Sequence, residues 1–475
     1  MTTALLLCYF ATWAFIPHLL LLKKRPSATL AWLWAIVFIP YLGALAYLAI
    51  GTDRLKRRRL RRRQQYSTRT HRHGAASGLA DPLTGRLLDL LPKRDLQFLH
   101  LVTKINQVPV SSASHLWILR DAREFYAALE ERIAAARHHV HLEFYIWHPD
   151  ETGAKFLGLL TAAARRGVAV RLLLDGVGSR SFAERLLADL REAGGQFSWF
   201  QSLDPSRNRF FLNLRNHRKL QIVDGAFAFV GGMNIGREYE GLDETLGHWR
   251  DVQIEADGPV VAELQDVFAD DWFFATGEKI SAIPYFPVFQ GETRDVVHVV
   301  LGGPDRRNEP ISKTIVSLLN EASNRVWIAT GYFVPDDIIL AALELAASRG
   351  VDVRLLISER NDHPWLVVVG RSYYSQLLAA GVRIFEYSVG VNHAKVMLVD
   401  DRWAMVGSAN LDYRSMRLNF ELNLLAHSHE RNGELAHILE HDFSVSQEID
   451  PAAFARRPFR EKFLEAALRP LSPLL

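Results

Sequence analysis

Two long apolar runs stand at the start of the chain. Residues 4–22 and 30–50 carry no formally charged side chain, and only the short link 23–29 separates them. A helix rises about 1.5 Å per residue, so each run is long enough to cross a hydrocarbon core of roughly 30 Å. The pattern predicts a transmembrane helical hairpin within residues 1–53. A re-entrant or cleaved arrangement is the alternative, but no small-residue cleavage site follows the first run.

A basic cluster follows the second run. Eight of the residues 54–63 are Lys or Arg, against three basic residues in the link between the runs. Positive charge accumulates on the cytoplasmic side of membrane proteins, so the cluster predicts that residues 54–475 face the cytoplasm. The same charges suit anionic lipid head groups, and the two interpretations are compatible. Residues 54–108 therefore form a basic juxtamembrane segment and linker.

Beyond the linker, strand-like runs alternate with helical ones. Residues 138–147 and 324–336 are rich in β-branched and aromatic side chains. A helical stretch follows each of them and ends at a glycine, Gly167 or Gly350, before a second apolar strand that begins Gly-Val-x-Val-Arg. Strands that alternate with helices in this way predict an α/β fold with mixed or mostly parallel sheets.

One motif occurs twice in this region. Residues 216–234 read NHRKLQIVDGAFAFVGGMN and residues 392–410 read NHAKVMLVDDRWAMVGSAN, at a constant offset of 176. Such a long spaced pattern does not recur by chance, so the chain contains two related halves. We place them at residues 109–285 and 286–475. The repeated positions are His217 and His393, Lys219 and Lys395, Asp224 and Asp400, Gly231 and Gly407, and Asn234 and Asn410.

The distribution of charge along the chain indicates which class of partner the protein binds. Residues 1–80 contain thirteen basic residues and one acid, whereas residues 81–475 contain 43 basic and 52 acidic residues. Enzymes that act on nucleic acid usually carry positive charge on the substrate-binding domain, so this division disfavours a nucleic-acid partner and favours a membrane surface. The single cysteine, Cys8, excludes an intrachain disulfide and a cysteine-based metal site.

The repeated motif resembles the signature of the phospholipase D superfamily, H-x-K-x₄-D followed by G-[GS]-x-N. The N-terminal hairpin and stretches such as residues 248–261 and 408–423 resemble the bacterial cardiolipin synthases of that superfamily, along nearly the whole chain. Departures are Gly331, where the family often has proline, and Arg237, where an acid is common. The resemblance implies an α/β fold of two phospholipase D-like halves with pseudo-twofold symmetry. It also implies that the hairpin makes the chain a multi-pass protein of the bacterial cytoplasmic (inner) membrane.

The motif side chains suit phosphodiester chemistry. Residues i and i+2 of a strand point to one face, so each motif histidine is expected to project together with the lysine two positions later. Two such strands that meet across the pseudo-twofold axis place two imidazoles and two ammonium groups in one pocket. Donors suited to the phosphate oxygens are Lys219, Lys395, Asn234, Ser408 and Asn410. The resemblance implies that neither a metal nor a cofactor takes part.

The resemblance further implies a covalent phosphohistidine intermediate. One histidine attacks phosphorus, while the other protonates the departing alkoxide and later activates the incoming hydroxyl. We assign His217 as nucleophile and His393 as acid and base, although a pseudo-symmetric site also permits the reverse. Asp224 and Asp400 complete the catalytic motif. An aspartate at a strand end usually binds turn amides, however, which favours a structural role for both.

A neutral and oriented imidazole calls for a carboxylate on its other nitrogen. Glu421 follows His393 in the second copy, in a segment where the superfamily places such a partner. Asp251 follows His217 and is the candidate of the first copy. We therefore expect each carboxylate to serve the histidine of its own half.

The expected activity is the transfer of a phosphatidyl group from one phosphatidylglycerol to another, which gives cardiolipin and glycerol. A membrane phospholipase D that uses water keeps every motif residue and is the alternative. A nuclease disagrees with the negative balance of residues 81–475, and a non-catalytic lipid-binding role disagrees with two intact motifs. Phosphatidylethanolamine as a co-substrate leaves no mark in the motifs, and the sequence does not indicate an oligomeric state.

Overall fold

The computed structural model describes residues 11–21, 26–48, 82–201, 214–243, 247–281, 283–306, 308–361 and 363–474. The chain divides into two compact units. One comprises residues 1–62 with residues 202–214, and the other comprises residues 63–201 with residues 215–475. The first unit holds the N-terminal helices, and the second holds both copies of the repeated motif.

The N-terminal unit is helical in its described part, with α1 (Phe15–Leu21), α2 (Pro26–Phe38) and α3 (Pro40–Ala46). Leu19, Ile36 and Tyr47 are buried there. α2 ends just before Pro40, because proline has no N–H with which to continue the ladder of the preceding helix. Among the described residues, none of the helices has the length and apolar character needed to cross a bilayer. The hairpin stays a prediction, and residues 1–10, 22–25 and 49–81, with the basic cluster, lie outside the described residues.

The second unit is an α/β structure. Its strands are β1 (Val110–Ala113), β2 (Leu116–Leu119), β3 (His139–Phe144), β4 (Ala169–Leu174), β5 (Gln196–Trp199), β6 (Leu220–Val223), β7 (Phe227–Gly231), β8 (His248–Arg250), β9 (Gln253–Asp257), β10 (Asp295–Gly302), β11 (Arg325–Thr330), β12 (Phe333–Val334), β13 (Asp352–Ser358), β14 (Arg383–Tyr387), β15 (Gly390–Asn392), β16 (Val396–Val399), β17 (Trp403–Gly407), β18 (Leu411–Asp412), β19 (Glu421–His427) and β20 (Ser446–Glu448). Its α-helices are α4 (Pro82–Leu88), α5 (Lys93–Asn106), α6 (Ala122–Ala135), α7 (Glu151–Arg165), α8 (Ala188–Glu192), α9 (Val260–Thr276), α10 (Pro310–Glu321), α11 (Asp337–Ser348), α12 (Pro364–Arg371), α13 (Tyr374–Ala379), α14 (Tyr413–Arg417), α15 (His429–Ser444), α16 (Pro451–Ala455) and α17 (Phe459–Leu468). Short 3-10 helices cover Glu184–Leu187, Arg237–Glu240, Ile283–Tyr285 and Arg469–Leu474.

Two large sheets repeat one strand order. The first runs β2-β9-β7-β6-β3-β4-β5, and the second runs β1-β10-β19-β17-β16-β11-β13-β14-β20. From β10 to β14 the second sheet matches the first strand for strand. In both sheets three neighbouring strands are parallel (β3-β4-β5 and β11-β13-β14). The strands within the two motifs, β6 and β16, pair antiparallel to β3 and β11. The prediction of an α/β fold in two halves is therefore confirmed, and each sheet is mixed.

Each half has its own apolar core. In the first half, Leu142 and Leu172 of the central strands pack in one cluster with Phe156 of α7. In the second half, Leu355 of β13 shares a cluster with Leu343 of α11. The helix α9 contacts strands of both sheets, and β1 precedes the first sheet in sequence but pairs with β10 of the second. Strand β7 of the first sheet also contacts β17 and β19 of the second, so the two halves pack against each other within this unit.

Candidate active site

The sequence predicted that each motif histidine and its lysine lie on a strand, whereas both pairs lie just before the strand. β6 begins at Leu220 and β16 begins at Val396, shortly after each histidine. His217 and His393 are 8% and 6% exposed, and both lysines are buried. Lys219 Nζ donates to the carbonyl oxygen of His217 at 2.9 Å, and Lys395 Nζ donates in the same way to His393. Each lysine therefore binds the backbone of its own motif histidine.

Each histidine contacts a carboxylate of the other half. His217 Nδ1 lies 3.0 Å from Glu421 Oε2, and His393 Nδ1 lies 2.7 Å from Asp251 Oδ2. The expectation that each carboxylate serves the histidine of its own half is therefore wrong. Both carboxylates are buried. A carboxylate only accepts hydrogen bonds, so each Nδ1 carries the proton and each Nε2 presents a lone pair.

Backbone pairing explains why the contacts cross. β8 runs parallel to β15, with Arg250 opposite Asn392, and the carbonyl oxygen of Arg250 accepts the His393 N–H at 2.7 Å. Asp251 is the next residue and so reaches the His393 ring. In the other copy, the carbonyl oxygen of Phe420 accepts the His217 N–H at 2.9 Å, and Glu421 follows it. The pseudo-twofold relation thus exchanges the carboxylates between the halves.

Burial favours the neutral form of the two motif imidazoles. It lowers the pKa of His217 to about 4, against the opposing charge of Glu421. Burial and the charge of Lys395 lower the pKa of His393. Burial also lowers the pKa of Lys219 to about 7. The charge of Lys395 acts on His217 and that of Lys219 acts on His393, so the two motifs share one electrostatic environment.

The two dyads differ in what supports the carboxylate. Ser408 Oγ donates to Glu421 Oε2 at 2.5 Å, and its oxygen accepts the Leu422 N–H. The first copy has Gly232 in the place of Ser408, and a Cβ at Gly232 would lie 2.4 Å from Asp251 Oδ1. A hydroxyl therefore positions the longer glutamate, whereas bare backbone leaves room for the shorter aspartate.

The two motif asparagines occupy different settings. Asn234 Oδ1 accepts the Ile146 N–H at 3.0 Å, and its Nδ2 donates to Tyr239 Oη at 3.1 Å. Its amide group therefore holds loops of the first half together. Asn410 is buried beside the second histidine, since a Cβ added at Gly331 would lie 3.2 Å from both Asn410 Oδ1 and His393 Cδ2. Asn410 therefore lies next to His393.

The motif aspartates bind backbone amides. Asp224 accepts N–H groups of residues 137, 138 and 139 at 2.8–2.9 Å, and Asp400 accepts those of residues 323, 324 and 325. Both aspartates have positive φ, 56° and 53°, which suits the tight turn after each motif strand. Each thereby ties the end of the motif strand to the start of the neighbouring strand.

Three aromatic side chains border the histidines, and the motif alone did not identify them. The Tyr145 ring meets His217 edge-on at 4.9 Å between centroids. Around His393, the ring centroid of Trp249 lies at 5.2 Å and that of Tyr332 at 6.1 Å. Tyr145 and Tyr332 follow β3 and β11, which are equivalent strands. A tyrosine just after the same strand of both repeats was the signal in the sequence.

Comparisons with known proteins agree with the α/β fold of two halves and indicate a family. The family profile described as cardiolipin synthase, PLD-like domain, matches residues 129–272 and 315–444, and that described as phospholipase D-nuclease N-terminal matches residues 10–51. A cardiolipin synthase of Geobacillus thermodenitrificans is 38% identical over 95% of this chain and 90% of its own length. One of Geobacillus kaustophilus is 37% identical with the same coverage. The crystal structure of phosphatidylserine synthase from Haemophilus influenzae covers 80% of this chain and 100% of its own with a TM-score of 0.61, and at 13% identity it shows the fold alone.

Proposed function

Because the chain belongs to the bacterial cardiolipin synthases of the phospholipase D superfamily and is a phosphatidyltransferase, we propose that it transfers a phosphatidyl group between two phosphatidylglycerol molecules. The products are cardiolipin and glycerol. The observation that carries the proposal is the pair of buried contacts, His217 with Glu421 and His393 with Asp251, each made across the halves. Two oriented imidazoles in one environment are what a two-step transfer through a covalent intermediate requires.

In the first step, Nε2 of His217 attacks the phosphorus of the donor lipid. The P–N bond forms, the P–O bond to the glycerol head group breaks, and His393 gives its proton to the departing oxygen. Burial and Lys395 lower the pKa of His393, but a bound phosphodiester adds negative charge beside the ring and favours its protonated form. Free glycerol leaves the site.

In the second step, the terminal hydroxyl of the acceptor phosphatidylglycerol attacks the phosphohistidine. His393 removes the hydroxyl proton, the new P–O bond forms, and the P–N bond to His217 breaks. Glu421 stabilises the positive charge that His217 carries in the intermediate, because burial leaves that charge little water.

The phosphate oxygens are bound by the motif lysines and by Asn410. An ammonium group has three donors, and the bond of Lys219 to a carbonyl oxygen occupies one of them. A phosphate anion would return the pKa of Lys219 from about 7 toward its ordinary value. Ser408 acts one step away, because it holds the Glu421 carboxylate in place.

The lipid substrates place the enzyme at the bacterial cytoplasmic membrane. The apolar runs 4–22 and 30–50 form a transmembrane hairpin, and the basic cluster 54–63 keeps the catalytic unit in the cytoplasm. The profile match over residues 10–51 supports this arrangement. In right-side-out spheroplasts, external protease should leave residues 82–475 intact. Digestion of residues 82–475 by the external protease would show that the catalytic unit lies outside the cytoplasm.

The activity is tested by product analysis. Purified full-length enzyme is incubated with phosphatidylglycerol labelled in its head group and in its acyl chains, and cardiolipin, glycerol and phosphatidic acid are resolved. We expect cardiolipin and glycerol in equal amounts, with His217→Ala and His393→Ala each lowering the rate by about 10²–10⁴-fold or more. Phosphatidic acid as the main product would show a hydrolase instead. A basic quench preserves the phosphohistidine, so the labelled peptide identifies the nucleophile. Label on the peptide that contains His393 would make His393 the nucleophile and His217 the acid and base.

A further inference from the structure

The helix α17, near the end of the second half, carries apolar side chains that point outward. Phe459 and Phe463 are 77% and 63% exposed, and Leu464 beside them is exposed as well. The two phenylalanine rings stack with their centroids 5.9 Å apart. Residues four positions apart lie on one side of a helix, so the two rings form one apolar face. A surface helix normally buries its apolar face against the core, whereas α17 exposes it.

The opposite side of α17 attaches the helix to the second half. Glu465 is buried and accepts hydrogen bonds from both terminal nitrogens of Arg457, at 2.5 and 3.0 Å. Leu468 packs against the apolar core of this half. Just beyond the helix, Tyr373 Oη donates to Ser472 Oγ at 2.8 Å. These contacts lie on the side away from the two phenylalanines and hold the apolar face outward.

Positive charge surrounds the apolar face. Residues 456–464 contain four basic residues and one acid, although residues 81–475 as a whole contain more acid than base. Arg456, Arg460 and Lys462 are exposed. Exposed aromatic rings with arginine and lysine beside them are typical of helices that lie in the interface of an anionic bilayer. The segment therefore has the chemistry of a membrane-binding helix.

The apolar face belongs to a part of the second half that leads to the active site. α17 packs against α12, which begins beside a row of rings. Between ring centroids, Tyr332 lies 6.1 Å from His393 and 6.0 Å from His363. Trp365, in the first turn of α12, lies 6.3 Å from His363 and is 45% exposed. Leu366 of α12 also lines a crevice with Tyr332. α12 therefore connects the helix α17 with the His393 side of the site.

We propose that the apolar face of α17 docks on the surface of an anionic bilayer and brings the His393 side of the site to the lipid. The inference rests on the proposed function, which places the substrate, phosphatidylglycerol, in such a bilayer. Phe459 and Phe463 enter the boundary between head groups and acyl chains, and the basic side chains beside them bind lipid phosphates. The second half thus has a membrane contact of its own, in addition to the predicted N-terminal hairpin.

A fluorescent label on each side of α17 tests the docking. In the full-length protein, the single cysteine is removed by Cys8→Ser, and Phe463→Cys carries an environment-sensitive dye. The protein is reconstituted into phosphatidylglycerol vesicles that contain lipids with a quencher on the acyl chain. Glu461→Cys is the matched control, because residue 461 is exposed on the other side of the same helix. We expect the dye at position 463 to be quenched about threefold more than the dye at position 461. Equal quenching at the two positions would overturn the inference.

Activity on vesicles gives a second test. Phe459→Ser combined with Phe463→Ser should lower the ratio of cardiolipin formation on vesicles to that in detergent micelles by about tenfold, because apolar area is removed from the interface. Leu186→Ser removes an exposed apolar side chain of the first half and should keep the parent ratio. Thermal melts show that each variant folds. An unchanged ratio in the double variant would contradict the docking.

The basic side chains are tested separately. Arg456→Gln, Arg460→Gln and Lys462→Gln together should weaken the dependence of the vesicle activity on phosphatidylglycerol content and on salt, because attraction to anionic lipid is screened by ions. The same dependence in the triple variant and the parent would overturn the electrostatic part of the docking.

The remaining outcomes separate this inference from its alternatives. Crosslinks between two copies that both carry Phe463→Cys, without quenching by the lipid, would assign the face to a second copy of the chain and overturn the inference. Quenching at position 463 in an enzyme that makes no cardiolipin would refute the proposed function and leave the docking standing. Cardiolipin formation without quenching at position 463 would refute the docking and leave the function standing.

Discussion

At the scale of single residues, the site depends on how each carboxylate is held. Glu421 is positioned by the Ser408 hydroxyl, whereas Asp251 packs against Gly232. The halves have diverged at this position while the histidine and lysine of each copy were retained. The supporting side chain therefore differs between the two chemically equivalent dyads, and substitutions on the two sides need not have equal effects.

Glu421→Gln tests the orientation of the nucleophile. The amide presents donors as well as an acceptor, so it no longer holds the proton on Nδ1 of His217 and no longer stabilises the charged ring. We expect phosphohistidine formation to fall by about 10²–10⁴-fold in rapid-quench experiments. Ser408→Ala removes one hydrogen bond to Glu421, so the rate of phosphohistidine formation should fall by about tenfold or less. Equal losses of rate in the two variants would show that the Ser408 hydroxyl takes part in the reaction itself.

At the scale of elements, the pairing of β8 with β15 delivers Asp251 to the histidine of the other half. Gly390 allows the close approach of the two strands, since a Cβ there would lie 2.0 Å from the carbonyl oxygen of His248. The hydrogen bond from the His393 N–H to the carbonyl oxygen of Arg250 continues the same strand pairing. We therefore expect a change at this strand contact to alter the contact of His393 with Asp251.

Gly390→Ala should therefore lower the transfer rate by about tenfold or more, because the added methyl group pushes β8 and β15 apart and weakens the contact of His393 with Asp251. Gly433→Ala is the matched control. Gly433 lies within α15 with nothing within 4 Å of an added Cβ, so alanine should be neutral or raise stability by about 0.4–1 kcal/mol. Steady-state kinetics and thermal melts of both variants check this. Normal activity in Gly390→Ala would mean that the pairing does not position the dyad.

At the scale of the whole molecule, buried histidines couple stability to pH. Burial lowers the pKa of His139, on β3, to about 4, and it also lowers the pKa of His141 on the same strand. Burial lowers the pKa of His298, on β10, to about 4 as well. The unfolded chain takes up protons near the ordinary histidine pKa, whereas the folded chain does so only near pH 4. The contribution of these histidines to the free energy of unfolding is therefore complete above about pH 6.5 and is lost as the pH falls toward 4.

His139→Asn should flatten this dependence. A pKa shift of this size corresponds to at most about 3 kcal/mol of unfolding free energy lost between pH 6.5 and 4, and the variant lacks that contribution even if it is less stable at pH 7. Denaturant melts at a series of pH values measure the slope. His100→Asn, at an exposed position of α5, should keep the slope of the parent protein. An unchanged slope in His139→Asn would mean that His139 takes up its proton at the same pH in the folded chain as in the unfolded chain.

Removal of residues 1–53 tests the anchor. The substrate rarely leaves the bilayer, so the truncated enzyme should lose more activity on phosphatidylglycerol vesicles than on detergent-dispersed lipid. The catalytic unit keeps both motifs and both carboxylates, so activity in detergent should remain close to that of the full chain. Equal losses in the two assays would show that the N-terminal residues shape the active site.

The sequence by itself determined the two halves, the α/β fold and the motif histidines and lysines. Spacing determines these features, because a repeat with strand and helix patterns in the same order folds into the same unit twice. It also indicated that Asp224 and Asp400 are turn residues, and their bonds to backbone amides agree. Such features are local, and a strand end or a turn is encoded by its own few residues.

Only the tertiary structure decided which carboxylate serves which histidine. Proximity along the chain favoured Glu421 for His393 and Asp251 for His217, yet each carboxylate binds the more distant histidine. The physical reason is that these contacts depend on strand pairing between the halves. Hydrogen bonds between distant backbones set that pairing, and no local pattern of residues records it.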